Sequence, residues 1–546
     1  AKRRMARGRK KAAQKTTTAA ADLVDDKPEI SAQQVDSEPA ENLVQSESPI
    51  VPSGTESPAA PSSAKPAVDE TVVTEDAVDP AATPQSKKKE EVSPSTASMK
   101  LTPEKIPVEA SGTTTAPRED SKAHLLDLLR KDQASHHVEY GGFLSNHLAH
   151  DLVSLTHLGA TPSRLDDFWE QHVRFTGYGV LESFIPSSHD ITRENFTDFL
   201  GLREGDPGLW AAYSDFFRKE IGEAGLGATL VRFLPELMPG MIGQALHGVI
   251  HAGFLMDPLC VNAAPDVAAA GLAYMAFAHL SAGTIPATFG AVGAQLVPGQ
   301  QGLKLLQSLV TKIHDDRRLK LGSSLLGFGQ NAARICHVQL SDRTALGRYD
   351  VHVAAGDGLA ALDTVFDAAV FVFAATGASD FFLLHGITAT HAAKNVVMQV
   401  DEAERDEMAG RMAEYMWRTL VIAYIAQGRK ALNSDNGAGI PRAQTTQAAW
   451  EELRERGLQH NDEHLIKLAA VLIHRHQGDT ASDGREMVRT GLRCFNRVAA
   501  GGWVFSFGLI GGFKAGIAKM QLASLKKKKT QSNQLQSPPR QPAEKQ

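Results

Sequence analysis

The stretch that decides the fold is Asn461-Asp462-Glu463-His464-Leu465-Ile466-Lys467-Leu468-Ala469-Ala470-Val471-Leu472-Ile473. Asn461 suits an N-cap, because its side chain can accept from the free amides of a first helical turn. Asp462 and Glu463 follow where the helix dipole favours negative charge. From Leu465 the run is apolar almost all round, and a helix without a polar face is buried. Lys467 interrupts that apolarity. An unpaired ammonium is costly to desolvate, so Lys467 must meet an acid, reach solvent or lose its proton. A salt bridge to an Asp or Glu on another helix is the plain structural answer. His464, three residues earlier, lies on the neighbouring ridge.

Outward from this helix the chain repeats the same pattern. Helical periodicity predicts segments at 123–131, 143–158, 165–175, 195–202 and 209–221. A stretch at 232–254 is broken by Pro235 and by Pro239-Gly240. Further helices are expected at 264–280, 302–313, 359–376, 380–400, 402–427, 447–456 and 462–475. Strict alternation is nearly absent; Val351-His352-Val353 is the best short strand. No repeat period is visible, which argues against a solenoid. The expected fold class is all-α, one large helical domain around a buried pocket.

The chain has 546 residues, of which 42% are hydrophobic and 22% charged, with a net charge of −6. That average hides a division. Residues 1–118 are rich in Ala, Pro, Ser, Thr, Glu and Lys and hold no Trp, Tyr or Phe. Such a segment cannot bury enough apolar surface to offset its ordering entropy. It is expected to be a disordered tail, as is 521–546 with its Lys run and its Gln, Ser and Pro. The helical domain is then 119–520. Cys260, Cys336 and Cys494 lie far apart with no CxxC, so neither a disulfide framework nor a cysteine zinc site is expected. No apolar signal region follows the basic N-terminus. The nearest approach to a membrane span, 498–513, is too short, and no membrane is expected. Lys2 to Lys11 form a basic cluster that reads as a targeting signal, a nucleic-acid patch or a solvated tail. The expected location is cytoplasmic, with nuclear or organellar targeting left open by that cluster. The body is acidic on balance, so no nucleic-acid function is expected of it.

Histidines mark the candidate site. Leu246-His247-Gly248-Val249-Ile250-His251-Ala252-Gly253-Phe254 carries two histidines one turn apart on a dry face. Such a pair can share a metal ion or rest as core histidines on backbone carbonyls. His147 and His150 stand three apart in Asn146-His147-Leu148-Ala149-His150-Asp151, which also reads as a polar patch on a half-exposed helix. His385 follows Phe381-Phe382-Leu383-Leu384. His391 lies about 240° further round the same helix, so the two cannot serve one site without a kink. No GxGxxG opens a strand–helix unit, so no flavin or nicotinamide fold is visible.

In order and spacing the chain resembles the questin oxidase-like proteins. The stretches that carry this are Gly142 to His150, Leu158-Gly159-Ala160, Asn195-Phe196 with Leu200-Gly201, and Leu246 to Phe254. Gly271-Leu272-Ala273-Tyr274, Leu384-His385-Gly386-Ile387-Thr388 and Asp462 to Lys467 complete the set. Together they cover about residues 120 to 515. The resemblance implies an oxygenase that opens or oxygenates a quinone ring, a Baeyer–Villiger-like outcome in polyketide or related secondary metabolism. It implies an anthraquinone-like substrate, dioxygen, NADPH, and non-haem Fe(II) held by four histidines and a carboxylated lysine. Carried onto this chain, the ligands are His147, His251, His385, His464 and Lys467, with His150 and His247 as substitutes within their pairs. Asp257 stands where the family pattern has Glu, and the long N-terminal tail lies outside the pattern. Two other readings stay open: a non-enzymatic helical interaction protein and a histidine-bound zinc hydrolase. The oligomeric state is not written in the sequence.

Overall fold

Four helices, drawn from across the sequence, lie side by side and point the same way. The structure, a computed structural model, describes residues 117–504 apart from 204, 262–264, 287–292, 320–326, 342, 434–444 and 479–483. The tails expected at 1–118 and 521–546 fall almost wholly outside the described residues. The helices, in order, are α1 (Glu119–Ser135), α2 (Leu148–His157), α3 (Pro162–Arg174), α4 (Leu209–Ala224), α5 (Leu226–Leu237) and α6 (His247–Leu255). Next come α7 (Pro258–Val261), α8 (Pro265–Phe277), α9 (Gln300–Asp315), α10 (Phe328–Ser341), α11 (Arg343–Gly347) and α12 (Gly358–Ala375). Last are α13 (Phe381–Val397), α14 (Glu402–Ala426), α15 (Thr446–Gln459), α16 (Glu463–Gln477) and α17 (Arg485–Gly501). The protein is all-α, as the periodicity predicts. Its strands among the described residues are two minimal pairs: β1 (Glu139–Tyr140) antiparallel to β2 (Leu144–Ser145), and β3 (Ala294–Leu296) parallel to β4 (Val351–Val353).

The central bundle is the ring α2–α6–α13–α16, each helix packed on the next and α16 closing on α2. Contacts at the two ends fix its direction. His147, the N-cap of α2, meets His247 at the head of α6 and Glu463 at the head of α16. At the far end His157, last in α2, reaches Asp257 just past α6 and stacks on His474 near the end of α16. On α13, Phe381 and His385 meet His464, and His391 meets His474. All four helices therefore run parallel, with their N-termini gathered at one end. Parallel neighbours cannot be joined by tight turns, so the chain leaves the bundle after each helix. Those excursions supply the outer layer: α1 and α3 on α2, α8 on α6, α12 on α13, and α15 and α17 on α16.

Local chemistry explains most boundaries. Thr161 accepts from Arg164 N with Pro162 at the first turn of α3. Asp380 caps α13 by accepting from Phe382 N and Leu383 N. Asp462 caps α16 in the same way through His464 N and Leu465 N, so the cap is one residue later than Asn461. The helix expected from 143 starts only at Leu148. Gly141 and Gly142, at φ +60° and +85°, turn the chain into the β1–β2 hairpin first. Pro235 does not break its helix; α5 runs through it and ends at Leu237, before Pro239. The 195–202 segment is a short 3₁₀ turn, Phe196–Phe199. Of the 498–513 stretch, the described part ends α17. Among the described residues the helix long and apolar enough to cross a membrane is α12, and it is mostly buried against α9, α13 and α14.

Candidate functional site: a buried histidine centre

The converging N-termini enclose imidazoles. His147 Nε2 lies 2.7 Å from His247 Nε2. The His147 and His464 ring centroids are 4.9 Å apart, those of His247 and His385 4.7 Å, and those of His385 and His464 5.1 Å. The four rings thus close a square, one from each bundle helix or its cap. All are buried, which sets aside the half-exposed patch expected at His147 and His150.

Backbone carbonyls fix two of the tautomers. His247 Nδ1 faces Gln244 O at 2.5 Å, and His385 Nδ1 faces Phe381 O at 2.7 Å. A carbonyl can only accept, so each Nδ1 carries the proton and each Nε2 keeps its lone pair. His385 Nε2 then has no partner, and neither ring nitrogen of His464 has a hydrogen bond. Burial lowers His147, His385 and His464 well below the ordinary histidine range and takes His247 to about 3. The His147 Nε2–H then donates to His247 Nε2, while His385 Nε2 and the His464 nitrogens stay unpartnered; all four are neutral imidazoles, the state in which histidine binds a metal. His147, His247 and His464 offer ligand nitrogens all within 4.8 Å of one another.

The turn before α6 sets this geometry. Gln244, Ala245 and Leu246 all have positive φ, at 48°, 53° and 70°. The left-handed region costs a non-glycine residue roughly 1–2 kcal/mol each, and such strain gathers at functional sites. Here the turn aims Gln244 O at His247. The Gln244 side chain holds it in place by donating to Glu139 Oε1 and to Phe143 O.

A carboxyl and amine group lies beside the square. Lys467 Nζ is 3.0 Å from His147 Nδ1, and Glu463 Oε1 is 2.8 Å from the same nitrogen. One ring nitrogen serves only one of them at a time. Among the described residues Lys467 forms no ion pair, so the salt bridge expected of a core lysine is not made. Lys394, three residues after His391 on α13, does make one, to Asp363 at 2.7 Å. Burial pushes Glu463 up to about 8 against the pull of Lys467, and holds Asp151 well above the carboxylate range. Burial likewise lowers the Lys467 ammonium. Both oxygens of Asp151 and Oε2 of Glu463 lack partners. His147, Asp151 and Glu463 form a second set with ligand atoms within 4.8 Å.

His251, expected among the ligands, lies one turn beyond the square. Its Nδ1 meets His150 Nε2 at 2.9 Å, and its ring meets Tyr274 edge-on at 5.6 Å. The geometry thus groups His247 with His147, His385 and His464, and pairs His150 with His251. Asp151 and Glu463 are site residues that sequence reasoning missed. Their spacing carried a signal: each lies four residues from a candidate ligand, Asp151 from His147 and Glu463 from Lys467. Phe381 and Trp503 form an aromatic wall on His464, with ring centroids at 4.4 and 5.7 Å. The Trp503 indole donates to Asp462 at 3.0 Å.

The fold is a parallel helical bundle enclosing neutral imidazoles beside a buried lysine, and comparison places the class of the chain among the oxidoreductases. The family model described as questin oxidase-like matches residues 144–472, more than half of the chain and all four bundle helices except the last turn of α16. The chain belongs to the questin oxidase-like family. It is similar to the Baeyer-Villiger oxidase ptaJ of Pestalotiopsis fici, 26% identical over 374 residues, which cover 63% of this chain and 78% of that protein.

Proposed function

We propose that this oxidoreductase inserts oxygen into, or opens, an aromatic or quinone ring of a secondary metabolite, a Baeyer–Villiger-type outcome. Dioxygen is the oxidant and non-haem iron(II) the cofactor. The ligands are His147, His247, His385 and His464, with Lys467 as a carbamate. The observation that carries this reading is the set of buried nitrogens without partners, His385 Nε2 and both nitrogens of His464, facing the lone pair of His247. Leaving such groups unpaired costs about 1–3 kcal/mol each, and a bound cation relieves it.

The donor set fits iron, since imidazole with an oxygen anion suits that metal. Held there, iron would supply the electrons and the spin pairing that dioxygen needs to react with a closed-shell ring. The residues do the rest. Four neutral histidines leave the cation's charge uncompensated, and four helix N-termini add positive potential. An anionic ligand is therefore favoured. Lys467, its ammonium already disfavoured by burial, would become one when its neutral amine adds to the carbon of carbon dioxide and gives up a proton to solvent. Glu463 and Asp151 flank that position and can hold or release a proton at His147 Nδ1. Phe381 and Trp503 give a planar ring a face to stack on and exclude water from one side. NADPH is the reductant assigned by the same reading.

The test is turnover of an anthraquinone by the full-length chain reconstituted anaerobically with Fe(II), with and without NADPH. Ring-opened product with matching oxygen uptake is expected, absent without iron. Equal product formation by the iron-free protein would refute the metal assignment.

A further inference from the structure

The two nitrogens of His147 face different chemistry. Nε2 gives its hydrogen to His247 Nε2, because the other nitrogen of His247 already donates to Gln244 O. The lone pair of the His147 ring is therefore at Nδ1, the nitrogen not turned to His247. What gathers around Nδ1 is acidic. Glu463 Oε1 lies 2.8 Å from it, and Asp151 stands one turn after His147 on the same face of α2. His147, Asp151 and Glu463 each offer one ligand atom, and the three atoms lie within 4.8 Å of one another. These residues are 4%, 0% and 5% exposed. Both Asp151 oxygens and Glu463 Oε2 have no hydrogen-bond partner. Buried carboxyl oxygens left unbonded are costly to a fold, and a cation is the group that satisfies several of them at once.

We propose that His147 Nδ1, Asp151 and Glu463 bind a second divalent cation, back to back with the ion of the square, so that His147 bridges the two. The inference deepens the reading above and rests on it for the first ion and for Lys467. Charge is the first argument: two carboxylates neutralise a dication, whereas four imidazoles do not. The helix N-termini raise the potential at this end of the bundle, so a further cation needs anionic ligands, and two are in place. Reach is the second. Ligand atoms on one ion with bonds of about 2.1 Å stand up to about 4.2 Å apart, and the free oxygens of both acids can turn inward by that margin. Lys467 Nζ stands 3.0 Å from the same Nδ1. As an ammonium it would repel the ion; as the carbamate it supplies a further anionic oxygen. A neutral imidazole has one N–H and one lone pair. Binding the second ion therefore releases that proton to solvent and leaves an imidazolate between the metals. The two sites differ in hardness: imidazole nitrogens suit zinc and iron, and carboxyl oxygens suit manganese(II).

The test uses the full-length chain stripped with chelator, given one equivalent of zinc(II) and then titrated with manganese(II). Free manganese is read by its six-line electron paramagnetic resonance signal in solution. The wild type is expected to take up one equivalent of manganese beside its zinc. Asp151→Asn and Glu463→Gln should keep the zinc and weaken manganese uptake by about tenfold or more. His385→Ala, which damages the square alone, should do the reverse. In frozen samples, cobalt(II) in place of zinc should broaden the bound-manganese signal, since the two ions share one imidazole. An unchanged signal would put the manganese elsewhere and overturn the proposal. That comparison needs no variant, and melting curves of the metal-free proteins identify any variant that fails to fold. The proposal also falls if the zinc-loaded wild type takes up no manganese, or if both acid variants take it up as the wild type does. Failure of the square reads differently: His385→Ala would hold zinc as the wild type does, while manganese uptake still depended on Asp151 and Glu463.

Discussion

At the level of single residues, the histidine cluster leaves buried nitrogens without partners, a cost the fold itself does not require. His464 is buried with neither nitrogen bonded, so in the metal-free protein it contributes an unpaired polar group. His464→Leu should therefore leave the metal-free melting temperature unchanged or raise it, while iron occupancy falls to near zero. A loss of several kcal/mol in the metal-free variant would make His464 a structural core residue instead. Lys467→Ala should also lose iron, and Lys467→Glu should restore part of it by supplying a carboxylate. Equal iron content in wild type and Lys467→Ala would rule out the carbamate. The sequence already exposed most of these residues, since a charge or an imidazole inside an apolar helix stands out. It did not separate His247 from His251, because residues one turn apart share a face. That choice is made by the left-handed turn at Gln244 to Leu246, which no pattern in the sequence announces.

At the scale of the element, the site depends on how closely helices approach. A Cβ on Gly253 would stand 2.1 Å from Ala392 O, so α6 and α13 pack backbone to backbone there. Gly253→Ala forces them apart, and overpacking of this kind costs about 1–3 kcal/mol or more. The variant should melt lower and bind iron weakly, because His247 and His385 ride on those two helices. Normal stability with full iron content would show that the contact yields freely. Ala245→Gly should act oppositely, relieving a left-handed alanine at φ +53°. A gain of about 1 kcal/mol in denaturant unfolding is expected, and a loss would mean the alanine's packing outweighs its strain. Element existence was legible because long apolar runs at helical spacing are unambiguous. Boundaries were less so: the start of α2 moved to Leu148 because a Gly-Gly hairpin competes with the helix for 139–145. Pro235 looks like a break in the sequence, yet a proline near the end of a short helix removes one hydrogen bond without stopping it.

At the scale of the whole molecule, four helices distant in sequence bring their positive ends to one point. Nothing in a helical wheel reports that direction, so no pattern along the chain signals that the bundle is parallel. Its consequence is a core full of neutral histidines. Burial holds His172, His247, His251 and His391 near 3, against an ordinary 6.5. Below pH 6.5 the unfolded chain takes up protons that the folded chain refuses down to about pH 3. Stability therefore falls as pH drops through that window, by at most about 1.4 kcal/mol per unit for each histidine. The melting temperature should decline from pH 7 to pH 5, because the many lowered histidines outweigh the three raised carboxyls of Glu463, Asp151 and Glu139, whose protonation in the folded chain acts the other way; a flat profile would mean these imidazoles are already charged. The central claim is that the converging helix ends hold a metal through four imidazoles. It is tested most directly by X-ray absorption at the iron edge of the chain reconstituted anaerobically with one equivalent of Fe(II). Four imidazole nitrogens and at least one anionic oxygen donor are expected around the iron, with imidazole scattering reduced in His385→Ala. An oxygen-only shell, or a spectrum identical in wild type and His385→Ala, would contradict it.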